Sequence, residues 1–233
     1  MSFESLILDT ETHALHGFPI EIAYVPSTLD ASGLKLVENL IYDEYFSLDE
    51  DTEIHYASMA VHHILPDDLI AKPHYSTFRL PESTVYLIGH NIDYDVDAIA
   101  RCGQDTRHIK PICTLALARS IWTTLDSHNL SALTYHLSKD LKATRDLLKN
   151  AHNAKTDVLI TAQLLEEIIK HLNVSSMEEL FEASQKARLP QYMPFGKYKG
   201  TLLSEIPKDY VQWLLRQDNL NPYLKEALQL TLA

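Results

Sequence analysis

The chain has few cysteines, no long apolar run and no leader-like start, and each of these shortages excludes a class of protein. Cys102 and Cys113 are the only cysteines among 233 residues and have no metal-type spacing, so we expect reduced thiols rather than a disulfide framework. No apolar stretch approaches the ~20 residues that cross a bilayer, and no basic segment followed by an apolar one opens the chain. We therefore expect a cytoplasmic protein without a membrane partner.

The chain has six glycines, but they do not form any of the common glycine-containing motifs of enzymes. There is no dinucleotide-binding fingerprint and no Gly-x-Ser-x-Gly elbow, which removes the commonest signal of a serine hydrolase. Gly196-Lys197 and Gly200-Thr201 lack the spacing of a phosphate loop, so we reject an NTPase. The chemistry must come from other side chains.

The net charge of −12 excludes a protein coated in basic residues, but it does not exclude nucleic acid as a partner. A metal-dependent nuclease needs clustered acids, and bound cations reverse the local sign where a phosphate lies. The charge is also uneven, because residues 189–233 carry five basic and four acidic groups. The small C-terminal part is therefore relatively basic and differs in kind from the rest.

Hydrophobic periodicity predicts an α/β fold. Ser5 to Thr10 is typical of a short buried strand, and Ile20, Ile22 and Tyr24 alternate with the period of a strand. Three strands followed by helix, strand and helix is the order of a ribonuclease-H-like fold, with a mixed five-stranded sheet flanked by helices. The predicted strands are residues 5–10, 20–25, 34–42, 85–89 and 109–113, and the predicted helices include 93–102, 130–137 and 157–172.

Three regions are predicted along the chain. Residues 1–173 form the principal domain, and residues 174–188 form a connecting helix that starts with a capping-box pattern. Residues 189–233 form a small C-terminal accessory module of a hairpin and two short helices.

Acidic residues concentrate at the ends of predicted elements. Asp9 and Glu11 close the first strand, where residues i and i+2 face the same side. Asp157 lies near the start of a long helix, and His152 precedes it by five residues. Mg²⁺ and Mn²⁺ prefer carboxylate ligands, and a neutral imidazole is suited to take a proton from water near pH 7. Together with Asp95, this set can hold two ions and a water, which phosphodiester cleavage needs.

Each of these residues alone has a plainer interpretation. An Asp-x-Glu pair is more often solvent-facing or part of a turn, Asp157 could simply cap a helix, and His152 could be an ordinary surface histidine. Their occurrence together, in this order and with these neighbours, is much harder to explain by chance.

Three motifs built from these residues resemble those of the DEDDh (DnaQ-like) 3′–5′ exonuclease family. Residues 8–12, Leu-Asp-Thr-Glu-Thr, match the first motif, and residues 90–95, His-Asn-Ile-Asp-Tyr-Asp, match the second. His152 five residues before Asp157 matches the third. Residues 193–200 also look like the tail of the bacterial exodeoxyribonuclease X group within that family, so the resemblance spans nearly the whole chain.

The resemblance implies a role for each site residue. Asp9 would bridge two metal ions, Mg²⁺ or Mn²⁺, and Glu11 and Asp157 would complete the site of one of them. Asp95 would act on the second ion, directly or through water. His152 would be the general base.

Four positions near the motifs are candidate substrate contacts. Thr12 and Asn91 belong to the first two motifs. Leu15 and His16 follow the first motif on a turn, where an apolar and a planar side chain can stack on, or wedge under, a terminal base. A simple turn with a buried leucine is the equal alternative. The glycine common in the family after the first motif is replaced near His13.

The C-terminal module adds two further candidates. We expect a glycine-turned hairpin over residues 193–201, with Phe195 and Trp213 in a miniature core. Lys197 and Lys199 flank an aromatic residue there, and lysines in that arrangement can meet a phosphate backbone.

These features predict a 3′–5′ exodeoxyribonuclease that releases nucleoside 5′-monophosphates from single-stranded or duplex DNA 3′ ends, in DNA repair or end trimming. One alternative is an exoribonuclease of the same superfamily, which contacts to the 2′-hydroxyl would distinguish. A polymerase-bound proofreading subunit is disfavoured by the compact C-terminal module. A non-catalytic nucleic-acid-binding module is disfavoured because all four carboxylates and the histidine are present.

Overall fold

The structure, a computed structural model, describes residues 3–232, and the chain divides into two compact units. We call Met1–Ser184 the N-terminal unit and Gln185–Ala233 the C-terminal unit. The division falls inside the helix predicted to connect the two domains. The predicted limits at residues 173 and 189 stay predictions.

The N-terminal unit is built on one mixed sheet with six strands, in the order β3-β2-β1-β5-β6, with β4 also paired to β2. β1 is antiparallel to β2 and parallel to β5, and β5 is parallel to β6. This arrangement confirms the predicted ribonuclease-H-like α/β fold. The strands are β1 (Ser5–Thr12), β2 (Pro19–Asp30), β3 (Gly33–Leu36), β4 (Tyr42–Tyr45), β5 (Tyr86–Gly89) and β6 (Lys110–Cys113).

The single strand predicted over residues 34–42 is two strands in the structure. A 3-10 turn at Glu38–Leu40 separates β3 from β4. β3 pairs with residues 27–30 of β2, and β4 pairs with residues 21–24. Because β2 has 12 residues, one long strand supports two short antiparallel partners, and the sheet has six strands instead of the predicted five.

Helices cover the sheet. They are α1 (Tyr56–His62), α2 (Asp93–Arg101), α3 (Thr114–Ile121), α4 (Leu130–Leu137), α5 (Leu141–Leu147), α6 (Ala154–Leu172) and α7 (Met177–Arg188), the last of which continues into the C-terminal unit. α4 has its predicted bounds, whereas α5 is not predicted and begins at the N-cap Asp140. Among the described residues, no helix is both long and apolar enough to cross a membrane.

β1 and α6 form the centre of the core. Leu6, Ile7 and Leu8 are all buried, because both faces of β1 are covered, which explains its continuous apolar sequence. α6 packs against β1 and β2. It buries a stripe with helical spacing, made of Val158, Ala162, Leu165, Ile168 and Ile169.

Gly89 ends β5 where the backbone of β1 comes very close. A Cβ atom at this position would lie 2.8 Å from the Leu8 carbonyl oxygen and 2.7 Å from Cδ1 of Ile92. Only glycine fits without a shift of the backbone. This close approach sets β5, and the start of α2 behind it, next to the end of β1.

The two cysteines are buried free thiols, in agreement with the predicted reduced state. Burial raises the pKa of the Cys102 thiol to about 12. This thiol is therefore protonated at neutral pH, and a buried protonated thiol is inert.

The C-terminal unit is a small helical unit with its own core. After α7 it contains a 3-10 turn at Gly196–Tyr198, α8 (Lys208–Leu214) and α9 (Pro222–Leu230). α8 and α9 agree with the two predicted helices. The core is formed by buried apolar side chains from these elements and the segments between them: Met193, Leu203, Ile206, Val211, Leu214, Leu224, Ala227 and Leu228.

One expectation for this unit is confirmed and one is wrong. Residues 193–201 form a short, irregular hairpin: Tyr192 and Leu202 form an antiparallel bridge, the amide of Met193 donates to the Thr201 carbonyl at 2.9 Å, and the amide of Gly200 donates to the Met193 carbonyl at 2.8 Å. Phe195 and Trp213 are not in the core, since they are 45% and 51% exposed. The physical reason is that aliphatic side chains from α8 and α9 already fill the small interior, which leaves the larger rings outside.

Candidate active site

The candidate site lies at the end of β1, where two carboxylates share one side of the strand. Asp9 and Glu11 are half-buried and alternate with the buried Thr10 and Thr12, because successive strand residues point to opposite faces. The pairing with β2 shifts register between Glu11 and Thr12. Such irregularities occur next to active sites, where they redirect side chains.

α2 brings a third carboxylate to β1. Asp95 lies in the first turn of α2 and is 4% exposed. Its Oδ1 atom accepts hydrogen bonds from the amide of Thr10 at 3.0 Å and from the hydroxyl of Thr10 at 2.8 Å. Thr10 thus fixes the Asp95 carboxylate next to the strand that carries Asp9.

The start of α6 contributes the remaining two predicted residues. His152 is exposed, has φ of 64°, and precedes the N-cap residue Asn153. The amide of His152 donates a hydrogen bond to Oδ2 of Asp157 at 3.3 Å. One potential ligand atom of each of Glu11, His152 and Asp157 lies within 4.8 Å of the other two. β1 and α6 therefore converge as the motif spacing predicts.

A fifth carboxylate, Glu21 on β2, is part of the same cluster and was not predicted as a site residue. It is 1% exposed. It accepts hydrogen bonds from Nδ2 of Asn153 at 2.6 Å and from the amide of Ala154 at 3.2 Å. Burial raises the pKa of Glu21 to about 7, although the Ala154 amide acts to lower it. A glutamate between the apolar Ile20 and Ile22 was the available signal.

The pKa values of the two β1 carboxylates are shifted strongly upward. Burial raises the pKa of Glu11 to about 9, and the negative charges of Asp157, Glu21 and Asp95 contribute. Burial also raises the pKa of Asp9 well above its usual value, with further contributions from Asp95 and Glu11. Burial and the neighbouring carboxylates thus both disfavour the charged form of these two acids in the folded chain.

Hydrogen bonds partly offset this effect at the other two acids. Burial raises the pKa of Asp95 to about 7, while the two bonds from Thr10 act to lower it. Burial raises the pKa of Asp157, whereas the His152 side chain and amide act to lower it. The pKa of Asp95 is therefore raised less than that of Glu11.

The residues of this cluster fit a bound metal ion. Glu11, His152 and Asp157 offer two carboxylate oxygens and an imidazole nitrogen at mutual distances that one cation can bridge. Divalent cations such as Mn²⁺ and Zn²⁺ accept this donor set. A cation at this position would also offset the repulsion that raises the pKa of Glu11.

The turn after β1 displays the predicted wedge residues. Leu15 is 78% exposed, so the alternative of a buried leucine is wrong. His16 is also exposed, has φ of 59°, and its ring lies 6.0 Å from that of Tyr94. The Thr12 hydroxyl donates to the Ala14 carbonyl at 2.8 Å and also bonds the Tyr94 hydroxyl. Thr12 therefore holds the turn together, while Leu15 and His16 stay open to a ligand.

His90 and Asn91 form the turn between β5 and α2. Asn91 is exposed with φ of 75°, a conformation that asparagine tolerates. Nδ1 of His90 lies 3.0 Å from the Thr114 hydroxyl, and Nε2 lies 2.9 Å from the His128 carbonyl oxygen. Burial lowers the pKa of His90 to about 4. His90 is thus a neutral structural residue at pH 7, whereas Asn91 is accessible to a substrate.

Lys197 and Lys199 belong to the C-terminal unit, and both are exposed. Nζ of Lys197 lies 5.2 Å from the centre of the Tyr198 ring. The carboxylates and His152 all belong to the N-terminal unit. The predicted site residues are thus divided between the two units.

Comparison with known proteins gives matches along the chain. Exodeoxyribonuclease 10 of Escherichia coli K12 is 26% identical over 231 residues, which cover 96% of each chain. A solved structure described as exonuclease X in complex with 5′ overhanging duplex DNA matches with a TM-score of 0.57 and 25% identity. That match covers 77% of this chain and 99% of the solved one.

Two further matches each cover a smaller part of the chain. The family described as "Putative quorum-sensing-regulated virulence factor" matches residues 185–233. The protein YpeB of Escherichia coli K12 is 46% identical over 41 residues, which cover 17% of this chain and 57% of YpeB. These matches agree with the resemblance to exonucleases that the motifs predict, and the chain is similar to exodeoxyribonuclease 10 over nearly its whole length.

Proposed function

We propose that this chain is a metal-dependent 3′–5′ exodeoxyribonuclease that releases nucleoside 5′-monophosphates from DNA 3′ ends. The observation that carries the proposal is the convergence of Glu11, His152 and Asp157 within 4.8 Å, with Asp9 and Asp95 in the same electrostatic cluster. The similarity to exodeoxyribonuclease 10 over 96% of both chains supports the reaction class. The duplex DNA in the exonuclease X structure supports DNA as the substrate.

Two divalent cations, Mg²⁺ or Mn²⁺, complete the proposed site. Glu11 and Asp157 would hold one ion, Asp95 would hold the other, and Asp9 would contact both. Bound there, the ions would stabilise the negative charge that builds on the phosphate and lower the pKa of the attacking water.

The protein groups around the ions have distinct tasks in this proposal. His152 takes the proton of the attacking water, because its exposed imidazole lies beside Glu11 and Asp157 and histidine is an efficient base near pH 7. Thr10 orients Asp95 through its two hydrogen bonds. These two bonds fix the Asp95 carboxylate before the substrate binds, so less ordering is needed to reach the transition state.

The terminal nucleotide is bound by exposed residues around the carboxylates. Leu15 and His16 offer an apolar and a planar surface for the last base, and Asn91 offers an amide for hydrogen bonds. Removal of nucleotides from 3′ ends would serve DNA repair or end trimming.

The test uses 5′-labelled DNA with Mg²⁺. The wild-type chain should produce a ladder that shortens from the 3′ end, and chromatography should identify nucleoside 5′-monophosphates as products. We expect the same single-stranded sequence made of RNA to be cut more slowly. A 3′-phosphorothioate linkage should delay the first cut, whereas cleavage that starts at the 5′ end would contradict the proposal.

The matched variants are Asp9→Asn and Asp97→Asn, the same chemical change inside and outside the cluster. Asp97 is exposed on α2, so its variant should keep full activity. The activity of Asp9→Asn should fall at least about 100-fold, because the loss of one electrostatic contact to a transition state has an effect of this size. Equal activities of the two variants would locate the cleavage at another site.

A further inference from the structure

A group of aromatic side chains on the C-terminal unit takes no part in the proposed catalysis. We define the aromatic surface as Phe195, Tyr198, Tyr210 and Trp213 with the adjacent lysines 197 and 199. Phe195 is 45% exposed and Trp213 is 51% exposed. Exposed large rings that lie together mark an interaction site rather than a core.

Three of the four rings of this surface, those of Tyr198, Tyr210 and Trp213, form a continuous row. The ring centres of Tyr198 and Tyr210 are 4.7 Å apart at 69°, and those of Tyr210 and Trp213 are 5.4 Å apart at 37°. Nζ of Lys197 lies 5.2 Å from the centre of the Tyr198 ring, which adds a cation–π contact. The row is therefore held in place by its own contacts before any ligand binds.

The local sequence explains why the Trp213 ring is exposed, whereas Tyr198 and Tyr210 pack partly against the core. On α8, Val211 and Leu214 are buried in the core. Tyr210 and Trp213, which are three residues apart, are neighbours on the helix surface. The loop that carries Phe195 comes close to α8 at Gly196, where a Cβ would lie 3.3 Å from the Tyr210 hydroxyl.

The lysines of the aromatic surface are available for a ligand. Within residues 3–232, neither Lys197 nor Lys199 has an acidic group within 4.0 Å. Residues 185–233 contain seven lysines and arginines and four acidic residues, in a chain with a total charge of −12. Positive charge next to exposed rings suits a nucleic acid, whose phosphates can contact the lysines while its bases stack on the rings.

We propose that the aromatic surface binds single-stranded DNA, with bases stacked on Phe195 and Trp213 and phosphates bound by Lys197 and Lys199. Single-stranded DNA offers free base faces, whereas duplex DNA keeps them inside its own stack. The proposal rests on the proposed function in one respect: the DNA bound here is the strand that the same chain degrades. The family model that matches residues 185–233 covers this unit alone.

The test measures DNA binding by the full chain without divalent ions, so that no cleavage occurs. A fluorescein-labelled dT₂₀ serves as the single-stranded probe, and a blunt duplex of equal length serves as the comparison. Trp213→Ala should raise the Kd for dT₂₀ about 5- to 150-fold, the range measured for the loss of one stacked base. Trp213→Phe, which keeps a ring, should recover most of the affinity. The Kd for the duplex should not change.

The lysines are tested through salt dependence. Each phosphate contact to single-stranded DNA contributes about 0.7 to the slope of log K against log salt. The double variant Lys197→Gln, Lys199→Gln should therefore lower the slope by about 1.4. Lys225→Gln on α9 is the matched control for charge, and Leu230→Ala, at a residue 62% exposed on the same helix, is the control for removal of an apolar side chain. Neither control should change the Kd.

A fluorescence readout places the contact at Trp213 itself. The chain has two tryptophans, so Trp122→Phe leaves Trp213 as the one tryptophan that reports. Its emission should be quenched when dT₂₀ binds. An unaltered emission together with an unaltered Kd of Trp213→Ala would overturn the proposal, and so would equal losses for dT₂₀ and duplex.

Failure of this inference differs from failure of the proposed function. A four-nucleotide oligomer with Mg²⁺ should be degraded equally by wild type and Trp213→Ala, because stacking on the aromatic surface is not needed for cutting. A wild type that binds dT₂₀ through Trp213 but degrades no DNA would refute the exonuclease alone. Normal degradation with no effect of Trp213 on binding would refute the aromatic surface alone.

Discussion

His152 occupies a backbone conformation that few residues other than glycine adopt. Its φ is 64°, in the left-handed region, where a side chain crowds the backbone. The cost is tolerated because the following residue, Asn153, caps α6 through its side chain and also contacts Glu21. The result is an exposed imidazole at a fixed position beside Glu11 and Asp157.

We predict that His152→Gln lowers kcat roughly 10²- to 10⁴-fold, the usual contribution of a general base. Binding of Mn²⁺, measured by titration calorimetry, separates this role from a ligand role. If His152 is the base, Mn²⁺ affinity should stay close to the wild-type value while kcat falls. His108→Gln, in an exposed segment before β6, is the matched histidine control and should leave both quantities unchanged. A variant that loses Mn²⁺ binding in proportion to kcat would make His152 a ligand instead.

At the level of elements, the contact between β2 and α6 depends on one buried carboxylate. The alternation of residues 20–25 predicts the strand, and the spacing of apolar residues after Asp157 predicts the helix. Neither pattern predicts that Glu21 contacts Asn153, because the two residues are 132 positions apart. Periodicity reports which face of an element is apolar, whereas a specific hydrogen bond between elements depends on how they pack.

We predict that Glu21→Gln lowers kcat about 10- to 100-fold, the scale on which residues that orient metal ligands act. The amide group of glutamine presents a donor to the Ala154 amide, which is itself a donor, so one of the two bonds that hold the start of α6 is lost. Hydrogen exchange should show a faster amide at Ala154 in the variant.

The control for this change is Glu44→Gln on β4. Glu44 forms a partly exposed ion pair with Lys72 at 3.4 Å, and such pairs contribute little. Its variant should keep the wild-type kcat at saturating Mg²⁺. An unaltered kcat in Glu21→Gln would show that the start of α6 keeps its position without the glutamate.

At the level of the whole molecule, the sequence predicted the acidic cluster better than it predicted the bounds of the strands and the packing of the C-terminal unit. Asp9, Glu11 and Asp157 follow from strand and helix periodicities that are strong because the elements are deeply buried. The break between β3 and β4 and the outward rings of α8 are not predicted, since both depend on tertiary packing. Helical spacing shows that Tyr210 and Trp213 are neighbours, but not that aliphatic residues fill the core behind them.

The charge distribution of the whole molecule gives its stability a defined pH dependence. In the folded state the pKa of Glu11 is about 9, and those of Asp95 and Glu21 are about 7. Between the usual carboxyl pKa and these values, the folded chain binds more protons than the unfolded chain. The free energy of unfolding therefore falls as the pH rises through this window.

Histidines oppose this trend only at lower pH. Burial lowers the pKa of His90 from 6.5 to about 4, so its contribution to stability increases with pH up to about 6.5 and is constant above. Hydrogen bonds lower the pKa values of the exposed Asp30 and Asp105, which affects only more acidic solutions. The carboxylates of the cluster thus determine the pH dependence of the free energy of unfolding from about pH 6.5 to 8.5.

We predict that, without divalent ions, the midpoint of urea unfolding falls between pH 6.5 and 8.5, and that Mg²⁺ reverses the fall. A metal ion competes with protons for the same oxygens, so its stabilising effect should be larger at pH 8.5 than at pH 6.5. The pKa of Glu11 in the folded state lies above this window, so Glu11→Gln should flatten the metal-free profile and weaken the effect of Mg²⁺. Asp97→Asn, outside the cluster, should reproduce the wild-type profile. A midpoint that rises with pH in the absence of metal would mean that the carboxylates are not crowded as the structure places them.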